Sequence, residues 1–123
     1  MYDVIVLFKP AIDVKVENVV ELAEAIAASG EAKVVQDKNV VSIENGEAKI
    51  TLDFSNDASA QEEAQEIADL FDVDCAGCKS RVTIGGYDPE MELMNDYSLL
   101  VERLSKNQHV ILFDPVEGAL LEP

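Results

Sequence analysis

Residues 1–8 form a nearly continuous apolar run of strand formers, and Lys9-Pro10 closes it. Such a run suits a strand covered on both faces. A change of period follows. Asn18 and Glu21 have capping-box spacing, and Val19, Leu22, Ala23 and Ile26 recur at i, i+3, i+4 and i+7. This predicts an amphipathic helix opened by Asn18 and stopped by Gly30. The pattern then turns to β. A short strand is expected at Lys33-Val34-Val35, and two longer arms, 40–44 and 47–54, flank Asn45-Gly46, a type I′ hairpin signal. In the second arm Ile50, Leu52 and Phe54 alternate with Thr51, Asp53 and Ser55, one face for the core and one for water.

Ser59-Ala60-Gln61-Glu62 reads as a capping box opening a second helix. Ala60, Ala64, Ile67, Ala68 and Phe71 form its apolar stripe. Residues 72–79 connect it to a short strand at 81–84, ended by Gly85-Gly86. Asp88-Pro89 has the form of a helix start, Asp as N-cap and Pro at the first position. Leu93, Tyr97, Leu100, Val101 and Leu104 follow at helical spacing. A last apolar strand covers 110–113, and the remainder reads as a tail. The order β-α-β-β-β-α-β-α-β defines an α/β (α+β) chain. A mixed β-sheet covered by about three helices is expected, with the first and last strands fully buried. It has room for a ferredoxin-like βαββαβ unit with an added helix and strand.

Composition bounds this picture. At 123 residues and 48% apolar, the chain suits a single domain, 1–123, with a core large enough to fold without metal or disulfide. The net charge is −16, from 25 acidic and 9 basic residues. An acidic surface repels nucleic acid and anionic lipid and attracts basic proteins. The longest apolar run at the start, 4–8, falls far short of the roughly 20 residues of a spanning helix. No secretory pattern leads it. A cytoplasmic protein, bound to neither membrane nor nucleic acid, is the expectation.

The acids are unevenly placed. Residues 50–78 contain no Lys or Arg but hold Asp53, Asp57, Glu62, Glu63, Glu66, Asp69, Asp72 and Asp74. Residues 82–102 again lack a base and hold Asp88, Glu90, Glu92, Asp96 and Glu102. A solvated surface accounts for most of these carboxylates one by one. Their sum carries a cost in self-repulsion that a basic partner would relieve. The face expected to bind it is the polar side of the second helix, Glu62, Glu63, Glu66 and Asp69, joined by Asp88, Glu90 and Glu92 if the fold brings them near. Asp53 and Asp57 bracket a turn, where capping the following helix is the expected role.

The second candidate is Cys75-Ala76-Gly77-Cys78. A C-x-x-C pair is half a zinc site or a redox dithiol. His109 is the only other soft ligand, so a closed site needs an added carboxylate or a homodimer sharing two Cys pairs. Against a thioredoxin-like role, the pair follows a helix instead of opening one, and two small residues in a tight loop explain it as well. A phosphate loop, a nucleophile elbow and H-E-x-x-H are all missing from the sequence. With one His, the expectation leans away from an enzyme, and no cofactor is called for.

In size, acidity and lack of catalytic signatures the chain is similar to small bacterial immunity proteins, which neutralise a basic toxin by covering its active site. That likeness is compositional and transfers no residue. It implies a non-enzymatic module for a basic protein partner. The alternative is a metal- or redox-linked domain built on Cys75 and Cys78, with His109.

Overall fold

The first strand, β1 (Val4–Phe8), lies inside a seven-stranded sheet and is buried at every position. This computed structural model describes residues 3–9, 14–28, 30–71, 78, 80–107 and 110–121. The other elements are α1 (Val16–Ala27), β2 (Lys33–Asp37), β3 (Val40–Asn45), β4 (Ala48–Ser55), α2 (Ala58–Phe71), β5 (Ser80–Tyr87), α3 (Met94–Ser105), β6 (Val110–Asp114) and β7 (Ala119–Leu121). The sheet order is β2-β3-β4-β5-β1-β6-β7.

All six strand pairings are antiparallel. The α+β class stands, while the mixture of strand directions expected from the alternation of helices and strands does not occur. The topology gives the reason. The α1 crossover from β1 to β2 skips β5, β4 and β3, and the α3 crossover from β5 to β6 skips β1. Each of these crossovers skips an odd number of strands, so the two strands it joins are parallel while every strand filling the gap runs opposite to its neighbours. α2 joins the adjacent strands β4 and β5.

Alternation along β1 feeds two apolar layers. Val4, Val6 and Phe8 enter the larger one, with Ile43, Ile50, Leu52 and Ile84 of neighbouring strands, and α1 and α3 close it with Val19, Ala23, Ile26, Leu100 and Leu104. Ile5 and Leu7 face the other way, onto Ala64, Ile67 and Ala68 of α2. The Phe71 and Phe113 rings meet there, tilted, with centroids 5.5 Å apart. The last strands are less covered than expected. Only Leu112 of β6 is fully buried, because β6 has the three-residue β7 as its outer neighbour.

Several boundaries differ from the sequence expectation, each for a local reason. α1 starts at Val16, and Asn18 lies within its first turn, its Oδ1 accepting the Lys15 N–H at 2.9 Å. The hairpin register pairs Asn45 with Ala48, so Gly46-Glu47 is the two-residue loop. Positive φ among described non-glycine residues is confined to Lys38 and Met91, so only Gly46 (φ 62) is left-handed in that loop. Gly at the first central position is the arrangement of a type II′ turn, not type I′. The residues read as a tail form β7, reached by a turn in which the Asp114 carboxylate accepts the Val116 and Glu117 N–H groups at 2.9 and 3.2 Å.

Candidate functional site

α2 carries the acidic face, and its start is set two residues earlier than the Ser59 capping box. Asp57 is the cap. Its Oδ1 accepts the Ala60 N–H at 3.1 Å and the Ser55 hydroxyl at 3.0 Å. The Ala60 N–H bond is the chief reason its carboxyl titrates below the usual range. Capping was the role expected of Asp57. Asp53 is instead an exposed position in β4, paired with Val40 and Thr83.

The inward stripe Ala60, Ala64, Ile67 and Ala68 is buried as the spacing predicts. That stripe packs against Ile5 and Leu7 of β1. Outward, Glu62, Glu66 and Asp69 are exposed. Gln65 Nε2 donates to Asp69 Oδ1 at 2.9 Å, which fixes that carboxylate along the helix. Glu63 plays a different part. Its Oε1 accepts from Arg81 Nη1 at 2.9 Å, a half-buried ion pair that ties the helix to β5. Leu70 stands 72% exposed beside the row. The helix contains no basic residue, and Asp69 sits in its last turn, where the helix dipole disfavours negative charge. No intrahelical cation relieves that arrangement.

The second acidic group lies elsewhere. Asp88 does not cap α3, which begins six residues later at Met94. It is 1% exposed. Its Oδ1 and Oδ2 accept the Glu92 and Leu93 N–H groups, each at 2.8 Å, so it organises the turn that precedes the helix. A buried carboxylate with this role is no part of an exposed partner face, and the expectation for Asp88 is corrected accordingly. Glu90 and Glu92 are exposed and line a recess of about 280 Å3 with Gly46 and Glu47 of the hairpin. Glu47 was not singled out from the sequence, because only the register of the hairpin carries it to residues 90 and 92. The recess opens at the start of β4 and α2 begins beyond its end. Seven residues of strand span about 23 Å. The fold therefore separates Glu90 and Glu92 from the start of the α2 row.

For the cysteine reading, Cys78 is buried against Ile5, Leu7 and the α2 stripe. Cys75 and His109 lie outside the described residues. Among the described residues no three of His, Cys, Asp and Glu converge as a metal ion needs. No described helix is long and apolar enough to cross a membrane.

The chain matches no known family model, no curated protein and no solved structure.

Proposed function

We propose that this chain is a non-enzymatic binding module for a basic protein partner, an inhibitor of the immunity type, acting in the cytoplasm. The observation that carries the reading is the outward row of α2. Glu62, Glu66 and Asp69 are exposed on a helix without a single base, while the one inward-leaning acid, Glu63, is neutralised by Arg81. Exposed Leu70 supplies an apolar contact beside the charges. A basic protein docking here would meet a concentrated negative field, associate fast, and lose rate as salt rises. Glu63 is left out of the contact set because its charge is already used within the fold.

Two triple variants with the same change of charge test the reading. Glu62→Lys/Glu66→Lys/Asp69→Lys alters the α2 row, and Glu47→Lys/Glu90→Lys/Glu92→Lys alters the recess. Native lysate is passed over each immobilised protein at low and high salt, captured proteins are identified, and association rates are measured for each. A basic protein held by the wild type and the recess variant, but lost by the α2 variant and at high salt, is the expected result. Equal loss from both variants would reduce the effect to net charge and end the assignment of α2.

A further inference from the structure

β1 ends, α1 begins and α3 ends around one cavity, under the two-helix layer and on the opposite face of the sheet from α2. Its volume is about 300 Å3, at the lower end for small-molecule pockets. The wall is apolar, with Phe8, Val19, Leu22, Leu52 and Leu104, and Asn18 and Arg103 stand among its lining. Arg103 is exposed and belongs to neither ion pair among the described residues, which are Arg81–Glu63 and Lys106–Glu102.

Charges of both signs stand beside this cavity. Lys9 follows the wall residue Phe8, Lys15 follows Val14, and Arg103 and Lys106 lie in the last turn and C-cap of α3. Arg103 is the basic residue that lines the cavity itself. Of the described acids, Glu17 precedes Asn18, Glu21 precedes Leu22, Asp53 follows Leu52, and Glu102 is bound to Lys106 at 2.9 Å. An apolar hollow with an uncommitted guanidinium at its edge matches a ligand with a short apolar tail and one carboxylate.

We propose that this cavity binds a small amphipathic monocarboxylate. The tail occupies the space between Phe8, Val19, Leu52 and Leu104, and Arg103 takes the carboxylate. The site goes beyond the protein-binding role assigned to α2 and stands independently of it.

Octanoate is the probe, titrated into the full chain by calorimetry and by amide chemical-shift mapping, with acetate, 1-octanol and octylammonium as comparisons. Octanoate is expected to saturate and to shift amides of β1, the start of α1 and the end of α3, while acetate does not bind. Charge-assisted hydrogen bonds to Arg103 should make octanol and octylammonium weaker by about tenfold or more. Arg103→Gln should bring octanoate down to the level of octanol, and Leu22→Trp should fill the hollow and block both. Because Arg103 is exposed, its variant keeps the fold and the test stands even if Leu22→Trp does not. Octanol binding as tightly as octanoate, an unaltered affinity in Arg103→Gln, no saturation by octanoate, or shifts confined to α2 would each overturn the proposal.

Discussion

A carboxylate's neighbours decide what it does, and Asp88 and Asp57 make the point in opposite ways. Asp88 is buried and accepts two backbone N–H groups. Asp88→Ala leaves both donors unsatisfied and should cost about 1–3 kcal/mol of stability for each donor left dry, read by urea unfolding. A variant with unchanged stability would mean that water replaces the carboxylate there. Asp57 is exposed, and its folded-state pKa is lowered chiefly by the Ala60 N–H. Its contribution is present above the ordinary carboxylate range and is lost as pH falls through the lowered value. Asp57→Ala should therefore unfold at lower temperature than wild type at neutral pH, and the gap should close on acidification. Tyr97 works at the other end of the scale. Burial first, then the charges of Asp114 and Asp3, push its phenol above 10. The neutral form is favoured in the fold, so this contribution is full below pH 10 and is lost as pH rises through the folded value. Tyr97→Phe should flatten the alkaline limb of a stability profile. Neither burial nor capping partner was readable at Asp88, since Asp-Pro is as good a helix start as it is a turn. The capping role of Asp57 was readable because a turn and a helix flank it.

Among the elements, α2 is the one whose attachment can be isolated. It meets the sheet through alanines, Ile67 and the Glu63–Arg81 pair, with Arg81 largely buried and Glu63 at the margin. A double-mutant cycle on Glu63→Gln and Arg81→Gln should return a coupling of about 1 kcal/mol. Amide exchange in α2 should quicken in both single variants while β1 and β5 stay protected. Uniform quickening across the sheet would show that the pair holds the whole fold and not the helix alone. The stripes of all three helices were readable from spacing alone, because a 3.6-residue period survives errors at the ends. The ends themselves were displaced in α1, α2 and α3, since Asn, Ser and Asp compete as caps and the sequence holds several candidates within one turn. β7 was missed for a related reason. Three residues carry too little pattern, and β7 is held by its pairing with β6.

For the molecule as a whole, a net charge of −16 sets the response to salt. Like charges crowd both the α2 row and the Glu47, Glu90 and Glu92 recess. Raising sodium chloride from about 10 mM to about 500 mM shortens the screening length from roughly 30 Å to a few ångströms, and the melting temperature should rise. A fall would indicate that attractive pairs such as Arg81–Glu63 outweigh the repulsion. The net charge was readable at once, but its separation was not. The sequence showed thirteen acids in two stretches, and only the register of β4 separates the α2 start from residues 90 and 92. The cavity edged by Arg103 was hidden for the same reason, since the end of β1, the start of α1 and the end of α3 meet only through packing.

The place of β1 in the sheet also orders events during synthesis. Its two neighbours are β5 and β6, which end at Tyr87 and Asp114. At ribosomal speed, the five apolar residues of β1 wait roughly 5–20 seconds for the second of them. Meanwhile β2, β3 and β4, joined by two-residue loops, can form a meander with no help from the strand that precedes them. The seam through β1 thus closes after the meander has formed. A nascent chain stopped before residue 110 should present Val4–Phe8 to chaperones, and cross-linking to them should fade only once β6 has left the exit tunnel.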